Sequence, residues 1–156
     1  YLINYFLDQF KGTVYRQTMF AEFEKQAHEL MEQEGSVPAQ TYCDLYYELN
    51  QKYFGPDMVS DPEIAMEWAR IPHFYTPFYV YQYATGFAAA IAISQKIIKG
   101  EPGIVERYKE FLSGGCSKDP IELLKICGVD MESRQPVEEA LAVFDAYVRE
   151  LEEMEI

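Results

Sequence analysis

Cysteine is scarce and poorly placed for either a disulfide framework or a zinc ribbon. Cys43, Cys116 and Cys127 make an odd count of three, with no CxxC among them. Close Cys or His pairs of the kind that hold structural zinc are absent, so reduced thiols in a cytoplasmic protein are the expectation. Histidine is scarcer still, with two residues. Basic side chains are outnumbered, 13 Lys and Arg against 26 Asp and Glu, for a formal charge of -13. Nucleic-acid affinity depends on cations that neutralise phosphates, so such a surface repels it, and anionic lipid is disfavoured on the same ground. No apolar run reaches the roughly 18 residues that span a bilayer, and no signal-peptide pattern opens the chain. Neither nucleic acid nor a membrane is expected as a partner.

Apolar and aromatic residues are present in quantity: 49% hydrophobic and 15% aromatic over 156 residues. That is enough to bury a core, so residues 1–156 are read as a single all-α segment. Leu2, Phe6, Phe10 and Val14, then Phe20, Phe23, Ala27 and Leu30, recur at helical steps, and one long helix is expected over 1–34. Gly12 interrupts it and is read as a close contact. A helix from Pro38 to Phe54 ends at Gly55-Pro56. Asp61-Pro62, Thr76-Pro77 and Asp119-Pro120 each pair a capping residue with a proline suited to the first helical turn. They predict helices that end near Pro72, Lys99 and Gly128. Residues 103–112 and the stretch from Pro136 supply two more, with the acidic tail Glu152 to Glu155 as a fraying end. No stretch alternates with period two, so the fold class is all-α, with about seven helices. From the opening at Tyr1, in mid-helix sequence and without Met, the chain is expected to be a piece of something longer.

Two stretches could carry chemistry. His28-Glu29 opens HELME, which has Glu32 where a zinc-binding HExxH has its second histidine. Glu24, Glu29, Glu32 and Glu34 are therefore read as an acidic, exposed face. The stretch from Arg70 to Ala92, RIPHFYTPFYVYQYATGFAAAIA, differs because its polar groups converge. His73 and Tyr75 precede a helix between Pro72 and Pro77, and Tyr79 and Tyr83, four apart, share a face. Neutral phenols donate hydrogen bonds and suit an oxyanion forming on a carbonyl under attack, and imidazole can donate beside them. Tyrosines at helical spacing also serve as ordinary core residues, and a lone histidine is often structural. Spacing alone leaves both readings open. Gly86 and Ala88 to Ala90 are read as a surface that lets a neighbouring helix approach.

The blocks FKGTVYRQTMFAEFE (10–24) and WARIPHFYTPFYVYQYATG (68–86) resemble the carboxy-terminal part of the oligoendopeptidase F branch of the thimet-type zinc oligopeptidases. The likeness runs from near Tyr1 to at least Gly115. The resemblance implies the C-terminal part of a helical, zincin-type peptidase catalytic domain that hydrolyses short peptides in a channel. It implies zinc in the full-length enzyme, held by an HExxH helix and a later glutamate upstream of this chain, with no metal bound by this segment. His73 and Tyr83 match the family's later histidine and tyrosine, which bind substrate and steady the tetrahedral intermediate. Tyr75 and Tyr79 are implied as substrate-binding neighbours, and Arg16 and Gln17 as structural. The segment alone is expected to be inactive. Its expected partners are short peptides, the missing N-terminal part of the same protein, and itself by self-association. A non-catalytic helical module that holds a peptide or protein is the alternative.

Overall fold

The computed structural model describes residues 1–154. Among them are seven α-helices and no strand: α1 (Leu2–Phe10), α2 (Arg16–Glu34), α3 (Ala39–Phe54), α4 (Tyr81–Ile98), α5 (Ile104–Gly114), α6 (Pro120–Ile126) and α7 (Gln135–Glu153). The all-α expectation holds. A π-helical turn, Lys11–Tyr15, joins α1 to α2, and two 3₁₀ segments, Pro62–Arg70 and Pro72–Tyr75, lie between α3 and α4. No helix among the described residues is long and apolar enough to cross a membrane. The chain forms two compact units, Lys11–Ala84 in one, and Tyr1–Phe10 with the described residues from Thr85 onward in the other.

The Lys11–Ala84 unit is built on an aromatic interior. Met19, Phe20 and Phe23 of α2 are buried with Tyr46 and Leu49 of α3, Ile71 and Val80. Phe23 lies edge-on to Tyr46 at 5.2 Å between ring centroids and 5.4 Å from Phe74. Such pairs add roughly 0.5–1.5 kcal/mol each beyond the area they bury. Glu67 sits inside this unit at 6% exposure. Its Oε1 accepts from Arg16 Nη2 at 2.6 Å and from Arg70 Nη2, and its Oε2 accepts from the Tyr46 hydroxyl at 2.6 Å. Burial pushes the Glu67 carboxyl upward. The hydrogen bonds from Tyr46 and Arg16 and the charges of Arg16 and Arg70 outweigh it, so the group stays below its ordinary value. Arg16 is thereby a structural residue, as the sequence implied.

Several local expectations are corrected here. The long helix over 1–34 is broken by the π turn, and an added β-carbon at Gly12 would meet nothing within 4 Å, so that glycine marks no close contact. The Asp61-Pro62 start is real, but Asp61 makes no side-chain cap bond and the segment that follows is 3₁₀. The Thr76-Pro77 start fails: α4 begins at Tyr81, because Phe78 adopts φ 57°, a left-handed conformation that no right-handed helix contains.

In the other unit, α1 packs on α7 through Phe6 and Tyr147 (5.1 Å) and through Phe10 and Phe144 (4.6 Å). Ala89, Ala92 and Ile93 of α4 are buried with Ile104, Cys127 and Val129. Close packing on α4 therefore uses Ala88, Ala89 and Ala92. An added β-carbon at Gly86 would meet nothing within 4 Å, and Ala90 is exposed, which overturns their reading as an approach surface. All three cysteines are free thiols, and Cys127 is held above its ordinary pKa by burial. Within the acidic tail, Glu152 and Glu153 are exposed and close α7; Glu155 lies outside the described residues.

Two outcomes follow. Glu67→Gln leaves two guanidinium groups facing a neutral amide and is expected to lower urea-unfolding stability by about 3 kcal/mol. Because the folded carboxyl is depressed, its stabilisation is complete above the ordinary value of 4.5 and is lost as pH falls through the folded value. The variant should therefore lose that part of the acid dependence below pH 4.5. Gly86→Ala, in open space and mid-helix, should stabilise the chain by roughly 0.5–1 kcal/mol. A destabilised Gly86→Ala chain would show that something does approach that position.

Candidate active site

Three of the four expected site residues converge, all within the Lys11–Ala84 unit. His73 lies on the short 3₁₀ turn Pro72–Tyr75, Tyr79 in the loop after it, and Tyr83 in the first turn of α4. The His73 ring stacks on Tyr79 at 5.8 Å and 11°, and meets Tyr83 at 6.0 Å, edge-on. Tyr79 and Tyr83 meet at 5.6 Å and 82°. The two tyrosines touch although Tyr79 is outside the helix, so the contact comes from the loop and not from the four-residue spacing that predicted it. Both are 39% exposed, which sets them apart from core tyrosines such as Tyr46.

Tyr75 does not join this cluster. It is 85% exposed and borders a separate shallow pocket of about 180 Å³ that Phe23, Tyr42, Trp68 and Phe74 also line. The buried Trp68 Nε1 there has no hydrogen-bond partner among the described residues.

Sequence reasoning missed what holds the loop. Glu24, expected on an exposed acidic face, is 3% exposed, and its Oε1 accepts the backbone N–H of Phe78 at 2.7 Å. A signal existed: Glu24 falls inside the apolar stripe Phe20, Phe23, Ala27, where a solvated glutamate has no place. Glu29 and the neighbouring Glu32 and Glu34 are exposed as expected. His28 is not directed at a metal site. Its Nδ1 hydrogen-bonds the Glu24 carbonyl oxygen at 2.8 Å, and its ring lies 4.9 Å from Phe78.

The hydrogen bond with Tyr79 raises the Tyr83 pKa, with a smaller contribution from desolvation. Tyr83 is therefore a neutral phenol at neutral pH, with its hydroxyl engaged with Tyr79. The exposed face thus offers an imidazole and two phenols, a set suited to binding carbonyl oxygens and to meeting negative charge as it forms. Among the described residues, no group of three or more His, Cys, Asp or Glu side chains is placed to hold a metal ion.

The family model for peptidase family M3 matches residues 2–143. The oligopeptidase PepF of Bacillus subtilis (strain 168) is 49% identical over 154 residues, covering 99% of this chain and 23% of that protein. The plasmid oligoendopeptidase F of Lactococcus lactis subsp. cremoris is 46% identical, over 98% of this chain and 26% of its own length. In three dimensions the chain is similar to the crystal structure of oligoendopeptidase-F from Enterococcus faecium, with a TM-score of 0.94 and 48% identity, covering 98% of this chain and 29% of that one. The chain spans about a quarter of the length of the curated relatives it matches.

The Tyr79–Tyr83 contact has a direct readout. Followed by NMR, the Tyr83 ring should titrate above 10.0, and Tyr79→Phe should bring it back toward that ordinary value. An unchanged titration in Tyr79→Phe would show that Tyr79 does not set the state of Tyr83.

Proposed function

This chain belongs to peptidase family M3, and on that premise we propose that it is the C-terminal part of the zincin-type catalytic domain of a zinc endopeptidase that hydrolyses short oligopeptides. The names of its relatives, oligopeptidase and oligoendopeptidase F, support the substrate class. The observation that carries the role of this segment is the exposed cluster of His73, Tyr79 and Tyr83, whose rings lie within 5.6–6.0 Å of one another.

In this reading His73 and Tyr83 donate hydrogen bonds to the peptide carbonyl that water attacks. The oxygen of that carbonyl gains negative charge as the carbon becomes tetrahedral, and both donors strengthen at that moment. Tyr79 orients the two donors and, with Tyr75, lines the path of the peptide. The described residues do not fit a zinc site. The reading therefore assigns zinc, with its ligands and the general base, to the portion of the longer protein that precedes this chain. That portion is also the proposed cover for apolar side chains such as Leu2 and Ile98, which are exposed along a groove of about 340 Å³. Without it, self-association is the expected means of burial. The segment by itself should not cleave peptides.

The test is kinetic and uses the full-length enzyme with an internally quenched peptide. Tyr83→Phe keeps the ring and removes the donor, and should lower kcat on the order of 100-fold with KM nearly unchanged. An unaltered kcat would remove Tyr83 from the reaction. Tight binding without hydrolysis by the unmodified protein would favour a peptide-binding module instead.

A further inference from the structure

We infer that Glu24 is a positioning residue for the His73, Tyr79 and Tyr83 cluster, acting through the backbone of Phe78; its bearing on turnover rests on the reading of that cluster as the peptide-binding face. Phe78 is the one non-glycine residue with positive φ among the described residues. A bulky aromatic side chain does not adopt φ 57° unless its surroundings impose it. What imposes it is on the middle turns of α2. The buried Glu24 carboxylate accepts the Phe78 N–H at 2.7 Å, and the His28 ring, anchored by its own bond to the Glu24 carbonyl, lies against the Phe78 ring. One helical turn thus grips both the backbone and the side chain of a residue 54 positions later.

The consequence falls on the next residues. Val80 is fully buried and fixes the far side of the loop, and its carbonyl accepts the Tyr83 N–H at 3.2 Å. Tyr79 is held between these two points. If Phe78 relaxed to negative φ, the chain would leave the turn in another direction and carry Tyr79 off His73. Glu24 bonds the Phe78 backbone and the His28 ring and not the three rings themselves; it sets the conformation from which they meet.

The experiment is NMR of the 156-residue chain with labelled aromatic rings, on two Glu24 variants. Glu24→Met keeps length and apolar packing but has no acceptor; Glu24→Gln keeps an acceptor oxygen. In Glu24→Met the Phe78 amide should exchange at least about tenfold faster. Ring-to-ring cross-peaks of Tyr79 with His73 and Tyr83 should disappear, while those of Phe23 with Tyr46 remain. Glu24→Gln should keep all of them. Persistence of the Tyr79 cross-peaks in Glu24→Met would overturn the inference, and so would their loss together with the Phe23–Tyr46 peaks in both variants, which would make Glu24 a general packing residue. Should Glu24→Met not fold, Phe78→Gly serves as a second probe. It retains the N–H, so the amide at position 78 should stay protected and the Tyr79–Tyr83 contact should persist; loss of both would place control in the Phe78 ring and overturn the inference.

These readouts need no substrate and are separable from the kinetic test. In the full-length enzyme, Glu24→Met should lower kcat at least about tenfold, with most of it recovered in Glu24→Gln. Full turnover in Glu24→Met where Tyr83→Phe is slow overturns the positioning role alone. A silent Tyr83→Phe, with ring order still lost in Glu24→Met, refutes the peptide-face reading and leaves the structural role of Glu24 intact.

Discussion

A carboxylate withdrawn from water must find partners for its charge, and Glu67 finds three on three different elements. Arg16 reaches it from α2, Tyr46 from α3 and Arg70 from its own 3₁₀ segment. The 3₁₀ geometry belongs to this requirement. With three residues per turn, side chains at i and i+3 eclipse, which sets Arg70 directly over Glu67 where an α-helix would offset them. Arg70 remains largely exposed, so one guanidinium still touches water and the desolvation penalty is smaller than for a wholly dry pair. Fixing Arg70 also fixes the start of the Pro72–Tyr75 turn, and with it His73.

Glu24 meets the same penalty in a different way. Its partner is a backbone N–H, so the bond acts on the path of the chain and not on the meeting of side chains. The two buried glutamates therefore divide the construction of the site: one anchors the segment before His73, the other the loop before Tyr79. In a chain with 26 acidic residues, both stand out because they lie inside. The groups left on the exposed face between them are an imidazole and phenols. The contact with Tyr79 raises the Tyr83 pKa, so that phenol keeps its proton at neutral pH.

What the sequence disclosed divides along the range of the forces involved. Prolines and glycines act within a turn, and the starts at Pro38 and Pro120 and the stops at Gly35, Gly55 and Gly100 were legible from them. The π turn had a trace in the pattern: Leu2, Phe6, Phe10 and Val14 step by four, and the next apolar member is not at 18 but at Met19. The failed start at Thr76-Pro77 had none nearby. The local sequence offers a cap and a proline, but a carboxylate 54 residues earlier in the chain takes the Phe78 amide and delays α4 to Tyr81. Gly86 misled for the opposite reason, since a small residue was read as evidence of a neighbour when the neighbours lie along Ala88, Ala89 and Ala92. The convergence of His73, Tyr79 and Tyr83 was read from the right residues by the wrong geometry: a helix face was expected, and a loop supplies the contact.

That difference bears on how the face could work. Two tyrosines on one helix would be placed by the helix, and any change in the loop would leave them together. Here Tyr83 rides on α4 while Tyr79 and His73 sit on separate short segments. Their mutual distances are therefore held by tertiary contacts: the Glu24–Phe78 bond, the burial of Val80, and the Glu67 cluster behind the 3₁₀ turn. In the proposed reading, donors fixed in this way need little reorganisation when charge appears on a carbonyl oxygen, and preorganisation of that kind is the larger part of what such donors contribute. The same dependence makes the arrangement of the three rings sensitive to residues outside it, and the buried carboxylates of α2 and the 3₁₀ segment are where that sensitivity is concentrated.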